Sequence, residues 1–379
     1  MTRGRLFLSF AAAASAAFLS FAALAADGTD VFAVSVPVDA TADSASAARD
    51  AARLAGERNA YTALLDRITL ASDRGKLTAP SDSDLNSLIQ GFEVANERRS
   101  TVRYLADYTF HFNADAVEQR LRAAGVPFAV TPSKPLIVLA VLETDNGPVL
   151  WDDPNPWRDA WGASKPPQGL VPLVMPLGEI EDVSAIDAAG ADKGDDAKLQ
   201  AISANYGHDD VLVTRATIRD GRTGKTASIS STRFVPGSPG GEQSWTGTFT
   251  ANAGESDPDF LARAVAGTAA QVQDAWKQAN IINYQQTGTL TVAVPTGDLK
   301  TWLAIRDRLA AIPAIQRTEI LAIDRQRALV SLHYVGDAAQ LKTALAQRNL
   351  DLSGEDPNWL LRQRGAQQNG AAPVATPAQ

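Results

Sequence analysis

Two kinds of hydrophobic spacing alternate along this chain, and that alternation limits its fold more than any other feature. In residues 102–112, apolar and aromatic side chains occupy every second position, as in a strand with one buried face. In residues 44–68 and 257–276, apolar side chains recur every three or four positions, as in an amphipathic helix. Both spacings recur over 379 residues, which is more than one ordinary domain needs. The sequence therefore predicts an α+β and α/β protein of several modules.

An N-terminal α+β module is predicted for residues 26–134. A β-branched run at residues 31–38 precedes the helix of residues 44–68, and residues 102–112 form the clearest strand. Arg58 interrupts the apolar stripe of this helix shortly after Gly56. We therefore expect Arg58 to have a structural role, either held inward by an acid or carbonyl groups or placed beside a bend at the glycine.

A central module with a mixed sheet is predicted for residues 135–284. The continuously apolar run at residues 136–142 is typical of a strand covered on both faces. Residues 178–196 are acidic and small, and a solvated loop is predicted for them. Gly207 is expected to end the helix that precedes it, which is also a structural role. Further strands are predicted at residues 210–218, 226–235 and 244–250.

The C-terminal module, residues 285–362, is predicted to be ferredoxin-like. Its patterns follow the order strand, helix, strand, strand, helix, strand, in which two helices cover one face of a sheet. Residues 363–379 are mostly Gln, Ala, Gly and Pro, a composition that buries too little apolar surface to stay folded. A disordered tail is predicted there.

The first residues of the chain have the features of an export signal. Arg3 and Arg5 precede an apolar stretch, and Ala23-Leu24-Ala25 offers the small residues that a signal peptidase recognises. We predict a signal peptide of residues 1–25, cleavage near Ala25, a periplasmic location and no integral membrane span in the mature chain.

Composition excludes several classes of function. The net charge is -8 and the pI is about 5.0, which disfavours attraction to phosphate backbones, so no nucleic-acid partner is predicted. The chain has no cysteine, which excludes disulfides, thiolate nucleophiles and thiolate metal sites. The sequence also lacks the glycine-rich motifs of phosphate and dinucleotide sites. We therefore predict no cofactor and no resident metal.

The most distinctive string of the sequence runs from residue 151 to residue 161. Asn155 and Pro156 are expected to start a helix that places two tryptophans on one face. Those rings either pack a loop onto the sheet or belong to a binding surface, because aromatic rings beside exposed acids suit a sugar or a cationic peptide. The candidate binding residues are Trp151, Asp152, Asp153, Trp157 and Trp161.

Two hypotheses of function follow from these features. The preferred one is a non-catalytic accessory protein that binds envelope proteins or peptidoglycan-associated partners, since the three histidines are scattered singly and no catalytic residue is predicted. The alternative is a metal-assisted hydrolase of an envelope polymer that uses Asp152, Asp153 and His208. That alternative requires the two carboxylates and the imidazole to meet at a common point.

Six segments carry a resemblance to a known family: residues 47–68, 91–94, 104–113, 135–142, 151–161 and 206–213. Together they resemble an exported proteobacterial family known only as a domain of unknown function. The likeness extends over about residues 30–350 and carries over no catalytic residue. The central module is also similar in element order to the α/β domains of the N-terminal part of TolB and of the curli-export lipoprotein family. In those proteins the fold mediates protein contacts, so the resemblance implies a binding or assembly role. The lipoprotein cysteine is missing here, so attachment by lipid is not implied.

Overall fold

A computed structural model describes residues 30–164, 169–221, 224–237, 242–282, 284, 286–296, 298–324, 326–355 and 357–364. The predicted signal peptide and the tail from residue 365 onward lie outside these ranges. Within them the chain alternates strands and helices, and the α+β and α/β fold class is confirmed. The strands are β1 (Ala33–Thr41), β2 (Ile89–Arg99), β3 (Arg103–Phe112), β4 (Leu136–Thr144), β5 (Gly147–Val149), β6 (Leu173–Val174), β7 (Asp210–Gly221), β8 (Gly224–Phe234), β9 (Gln243–Thr250), β10 (Thr287–Pro295), β11 (Ile315–Ile323), β12 (Arg327–Val335), β13 (Leu350–Glu355) and β14 (Asn358–Gln363). The helices are α1 (Ala45–Ile68), α2 (Asp82–Leu88), α3 (Ala114–Ala123), α4 (Pro156–Ala163), α5 (Ile180–Ala185), α6 (Ala188–Lys193), α7 (Asp196–Tyr206), α8 (Asp257–Asn280), α9 (Leu299–Ala310) and α10 (Ala338–Gln347).

The first sheet has three antiparallel strands in the order β1-β3-β2, with α1 packed on β1 and β3. The alternation predicted for β3 is confirmed, because every second side chain from Tyr104 to Phe112 is buried. Strand β2 was not predicted from the sequence. Most of its residues are exposed, so its sequence does not alternate between apolar and polar residues as a strand with one buried face does.

Helix α1 turns a slightly different face to this sheet than the apolar spacing predicts. Ala47 and Ala51, expected on the inner stripe, are exposed, and the neighbouring Ala48 and Ala52 are buried instead. A Cβ atom on Gly56 would lie 2.9 Å from Cγ1 of Val38, so the glycine allows the helix to approach the strand closely. Steric fit against the sheet therefore selected the inner face of α1.

Arg58 lies on the outside of α1, so the inward orientation, one of the two alternatives open from the sequence, is not found. Its side chain is 57% exposed. Its Nη2 atom donates to both carboxylate oxygens of Asp82, at 2.7 and 2.8 Å, which ties α1 to the start of α2. Because Gly56 faces the sheet, a residue two positions further on lies roughly 200° around the helix and points to solvent.

The central sheet runs β5-β4-β7-β8-β9, with β6 beside the first residues of β4. Residues 136–142 of β4 are buried, as predicted for a strand covered on both faces. Helices α4 and α8 contribute to the core on one face, and α6 and α7 to the core on the other. Gly207 follows the last residue of α7 with a φ of 64°, in the left-handed region that favours glycine.

The solvated loop predicted for residues 178–196 is wrong, because this segment folds into α5 and α6. Asp187 caps α6 by accepting a hydrogen bond from the Gly190 amide at 2.7 Å. Asp182 is buried and accepts from the Gly178 amide at 3.0 Å. Small and acidic residues, read as signs of a loop, therefore serve here as caps and as close-packing positions.

The C-terminal sheet has the order β11-β12-β10-β14-β13. Its elements follow the predicted ferredoxin-like order through α10 and β13. An additional strand, β14, forms a hairpin with β13 and inserts parallel to β10. Gln363, assigned to the disordered tail from the sequence, lies in β14 instead.

The buried apolar residues form three clusters. The largest joins the inner face of the first sheet to one face of the central sheet, through Phe128, Val171 and α8. A second fills the opposite face of the central sheet, and a third lies within the C-terminal sheet and its helices. The described residues include no helix that is both long and apolar enough to cross a membrane.

Candidate functional site

Trp157 and Trp161, two of the predicted binding residues, lie in the core. Asn155 and Pro156 start α4 as expected, and the two rings then face inward, almost wholly buried. Their centroids are 5.9 Å apart in an edge-to-face arrangement, and the Trp157 indole donates to the Thr214 carbonyl at 3.1 Å. These two rings therefore pack α4 onto the sheet, and their faces are not open to a ligand.

Asp152 and Asp153 are exposed at the turn before α4. Arg158 donates to Asp153 at 2.7 Å and also to the Trp151 carbonyl, so the turn is closed by an ion pair. Among the described residues, which include Asp152, Asp153 and His208, no three acidic or histidine side chains lie close enough to hold a metal ion. The geometry required by the hydrolase hypothesis is therefore not present.

Trp151, another predicted binding residue, is half-buried and fixes both ends of the short helix α5. Before the helix, a Cβ atom on Gly178 would lie 3.3 Å from Cε3 of the Trp151 ring, and Gly178 has a φ of 76°. After the helix, the indole nitrogen of Trp151 donates to the Ile186 carbonyl at 2.6 Å. Trp151 therefore positions α5 and the side chains on that helix.

An open cleft of about 380 Å³ lies between α5 and the end of α7, and we call it the acidic cleft. Three of its lining residues are acids, and Leu177 at its rim is 82% exposed. Ile180, the first residue of α5, lies in sequence between the lining residues Glu179 and Glu181 and is 76% exposed. Isolated apolar residues on a surface are common, but two so exposed within four positions of the chain make this segment a candidate contact surface. The lining residues are Leu177, Glu179, Glu181, Asp182, Asn205 and Tyr206.

Hydrogen bonds hold the walls of the acidic cleft together. The Tyr206 hydroxyl donates to Asp182 at 2.8 Å and accepts from the Leu177 amide at 3.2 Å. Burial, together with the hydrogen bond to Asp182, raises the pKa of Tyr206, so the phenol stays neutral at ordinary pH. The Asn205 side chain donates to the Glu181 carbonyl at 3.2 Å. These contacts fix α5 against α7 and leave the Glu179 and Glu181 carboxylates exposed.

This combination of groups suits a ligand that is both cationic and apolar. Exposed carboxylates attract an ammonium or guanidinium group, and Leu177 and Ile180 offer apolar area to the methylene stem of such a side chain. The acidic and small residues of segment 178–196 predict a loop and not helices, so the cleft does not follow from the sequence. Ile180 and Val183, three positions apart in the acidic segment, were the available signal for a helix.

The fold is thus a mixed α and β arrangement of three sheets, with an acidic cleft on the central one. No protein-family model matches the chain, and no curated protein matches it in sequence. Among solved structures, the chain is similar to the lipoprotein GNA1162 from Neisseria meningitidis, at 19% identity and a TM-score of 0.25. That alignment covers 37% of this chain and 96% of the lipoprotein. A TM-score of this size defines no shared fold, so the family resemblances stated from the sequence stay predictions.

Proposed function

We propose that this protein is an exported, non-catalytic accessory protein of the cell envelope that binds a cationic and partly apolar segment of a partner protein. The acidic cleft is the binding site in this proposal. Export rests on the signal features of residues 1–25. The observation that carries the binding role is the pairing of two exposed carboxylates with highly exposed Leu177 on a wall fixed by Trp151.

The physical basis is complementary charge together with apolar contact. Long-range attraction to Glu179 and Glu181 speeds the encounter with a basic segment, and burial of Leu177 and Ile180 then slows its release. A purely polar ligand would leave both apolar side chains in water. A purely apolar ligand would desolvate the carboxylates without pairing them.

Calorimetric titration with short synthetic peptides tests this proposal. A peptide of alternating Lys and Leu is expected to bind, and a matched peptide of alternating Glu and Leu is not. The double substitution Glu179→Gln with Glu181→Gln is expected to weaken binding by about tenfold at low salt. Leu177→Ser is expected to weaken it by about threefold, an effect that persists at high salt because it is not electrostatic.

The matched control is Asp50→Asn with Asp351→Asn. It also removes two negative charges, but at exposed positions on α1 and β13, outside the cleft. If this control weakens the Lys-Leu peptide as much as the cleft variant does, binding reflects overall charge and the proposed site is wrong. Equal binding of both peptides to the unaltered protein would contradict the proposal as well.

A further inference from the structure

A second cavity, of about 330 Å³, lies on the first sheet module, and we call it the arginine groove. It is formed by the outer turns of α1, the 3₁₀ helix Ala71–Lys76 and the segment that leads into α2. Its walls are mainly apolar, and they include the guanidinium groups of Arg58 and Arg74. The lining residues used below are Arg58, Tyr61, Leu65, Arg74, Leu77 and Pro80.

Around the arginine groove, three buried hydrogen-bond donors have no acceptor among the residues that the structure describes. The Tyr61 hydroxyl is one, and only 5% of this residue is exposed. The Nε atoms of Arg74 and Arg120 are the others. Arg120 lies behind the groove, where its Nη2 atom donates to the carbonyl of the lining residue Thr78 at 2.9 Å. The Arg120 guanidinium lies close enough to the Tyr61 hydroxyl to act on its pKa, but a guanidinium only donates, so it cannot accept the hydroxyl proton. Buried polar groups in folded proteins nearly always have partners, so these donors together favour a ligand that accepts hydrogen bonds.

The remaining groups of these residues are already held in place. Arg74 pairs with Asp66 at 2.6 Å through its Nη1 atom, and Arg58 pairs with Asp82. Burial raises the pKa of Tyr61, although the nearby Arg120 guanidinium opposes this, so the phenol remains a neutral donor at ordinary pH. These groups can therefore donate hydrogen bonds to a ligand. Burial of Tyr61 and the other contacts of Arg74 and Arg120 hold the donors in place.

We propose that the arginine groove binds a small organic carboxylate with an apolar body. A carboxylate only accepts hydrogen bonds and carries the charge that guanidinium groups favour. Leu65, Leu77 and Pro80 would contact the apolar body. The volume lies near the lower limit of about 300 Å³ for small-molecule sites, which sets the size of the ligand. This site is on a different sheet from the acidic cleft and binds the opposite charge, so its failure would not affect the proposed function.

Nuclear magnetic resonance titration of the protein with 4-phenylbutyrate tests the proposal, with 4-phenylbutanol as a neutral probe of the same shape. The carboxylate is expected to shift amide signals of residues that line the groove and to bind at least about fivefold more tightly than the alcohol. Tyr61→Phe removes one donor without removing the ring, and Arg74→Gln removes the guanidinium. Each substitution is expected to weaken binding of the carboxylate by about fivefold and to leave binding of the alcohol unchanged.

Arg98→Gln, at an exposed arginine of β2, is the matched control and is expected to have no effect. The proposal is wrong if the carboxylate and the alcohol bind equally, or if neither shifts the groove signals. It is also wrong if Tyr61→Phe binds the carboxylate as well as the unaltered protein, since a buried water would then satisfy the hydroxyl. Thermal unfolding of each variant shows whether a loss of binding comes from a loss of fold.

Discussion

At the scale of single residues, Asn155 does more than its position in the sequence indicates. Its side-chain oxygen caps α4 by accepting from the Arg158 amide at 3.0 Å, as the Asn-Pro start predicts. Its side-chain nitrogen also lies within hydrogen-bond distance of the Ala140, Val149 and Leu150 carbonyls, at 3.1 to 3.3 Å. The residue is fully buried, so one amide joins a helix start to β4 and to the chain that follows β5.

Asn155→Ala is expected to lower the free energy of unfolding by about 2 to 4 kcal/mol, because it removes a helix cap and leaves buried carbonyls unpaired. Urea unfolding followed by tryptophan fluorescence measures this change. Asn86→Ala, at an exposed position of α2, is the control and is expected to change stability by less than about 0.5 kcal/mol. Equal small effects of both substitutions would show that the buried amide contributes little.

At the scale of secondary-structure elements, α8 connects the first sheet module to the central one. Its apolar stripe, predicted from the spacing of Leu261 to Trp276, is buried as expected. Its last turns also carry polar anchors. Gln273 exchanges two hydrogen bonds with the Val171 backbone, and Trp276 donates to the Thr131 carbonyl at 2.8 Å. Lys277, almost fully buried, donates to the Asp66 and Thr69 carbonyls at the end of α1, at 3.1 and 2.8 Å.

Lys277→Met is expected to destabilise the protein by about 2 to 4 kcal/mol, because two carbonyls at the end of α1 lose their donor. The change is to be read from the midpoint of urea unfolding. Amide hydrogen exchange should also quicken in the last turn of α1. Lys342→Met, at an exposed position of α10, is the matched control. Unchanged stability of Lys277→Met would show that the apolar stem of the lysine, which methionine retains, supplies the whole effect.

At the scale of the whole molecule, the three predicted modules differ in how separate their cores are. The first and central modules share one continuous apolar cluster, whereas most of the C-terminal module has a cluster of its own. Specific polar contacts still join that module to the rest. Gln347 accepts from the Lys134 amide at 2.6 Å, and Gln340 donates to the Ile281 carbonyl at 2.7 Å.

Residues 285–364 expressed alone are therefore expected to fold, with a single cooperative thermal transition in circular dichroism. A shorter fragment, 285–357, lacks β14 and is expected not to fold, because Leu361 is fully buried and β14 fills the place between β10 and β13. Residues 26–134 alone are also expected not to fold, since they would expose their half of the shared core. Cooperative folding of both shorter fragments would mean that the apolar clusters do not define the folding units.

The features that the sequence by itself determined are those encoded by near neighbours in the chain. The spacing of β3, the buried run of β4, the Asn155 cap and the Gly207 terminus each depend on residues within a few positions of one another. Helical and extended backbones impose fixed periods on side chains, and caps need particular residue types. Local patterns of this kind can be read without knowing what packs against them.

Tertiary structure alone decided the orientation of Arg58, the placement of β2 and β14, and the burial of Trp157 and Trp161. It also decided both candidate sites. The acidic cleft requires α5 to lie against α7, and the arginine groove brings Tyr61 beside Arg74 and Arg120. Each of these outcomes depends on which distant residues come into contact, and steric fit and hydrogen-bond satisfaction between separate elements select those contacts. A linear pattern does not contain that information.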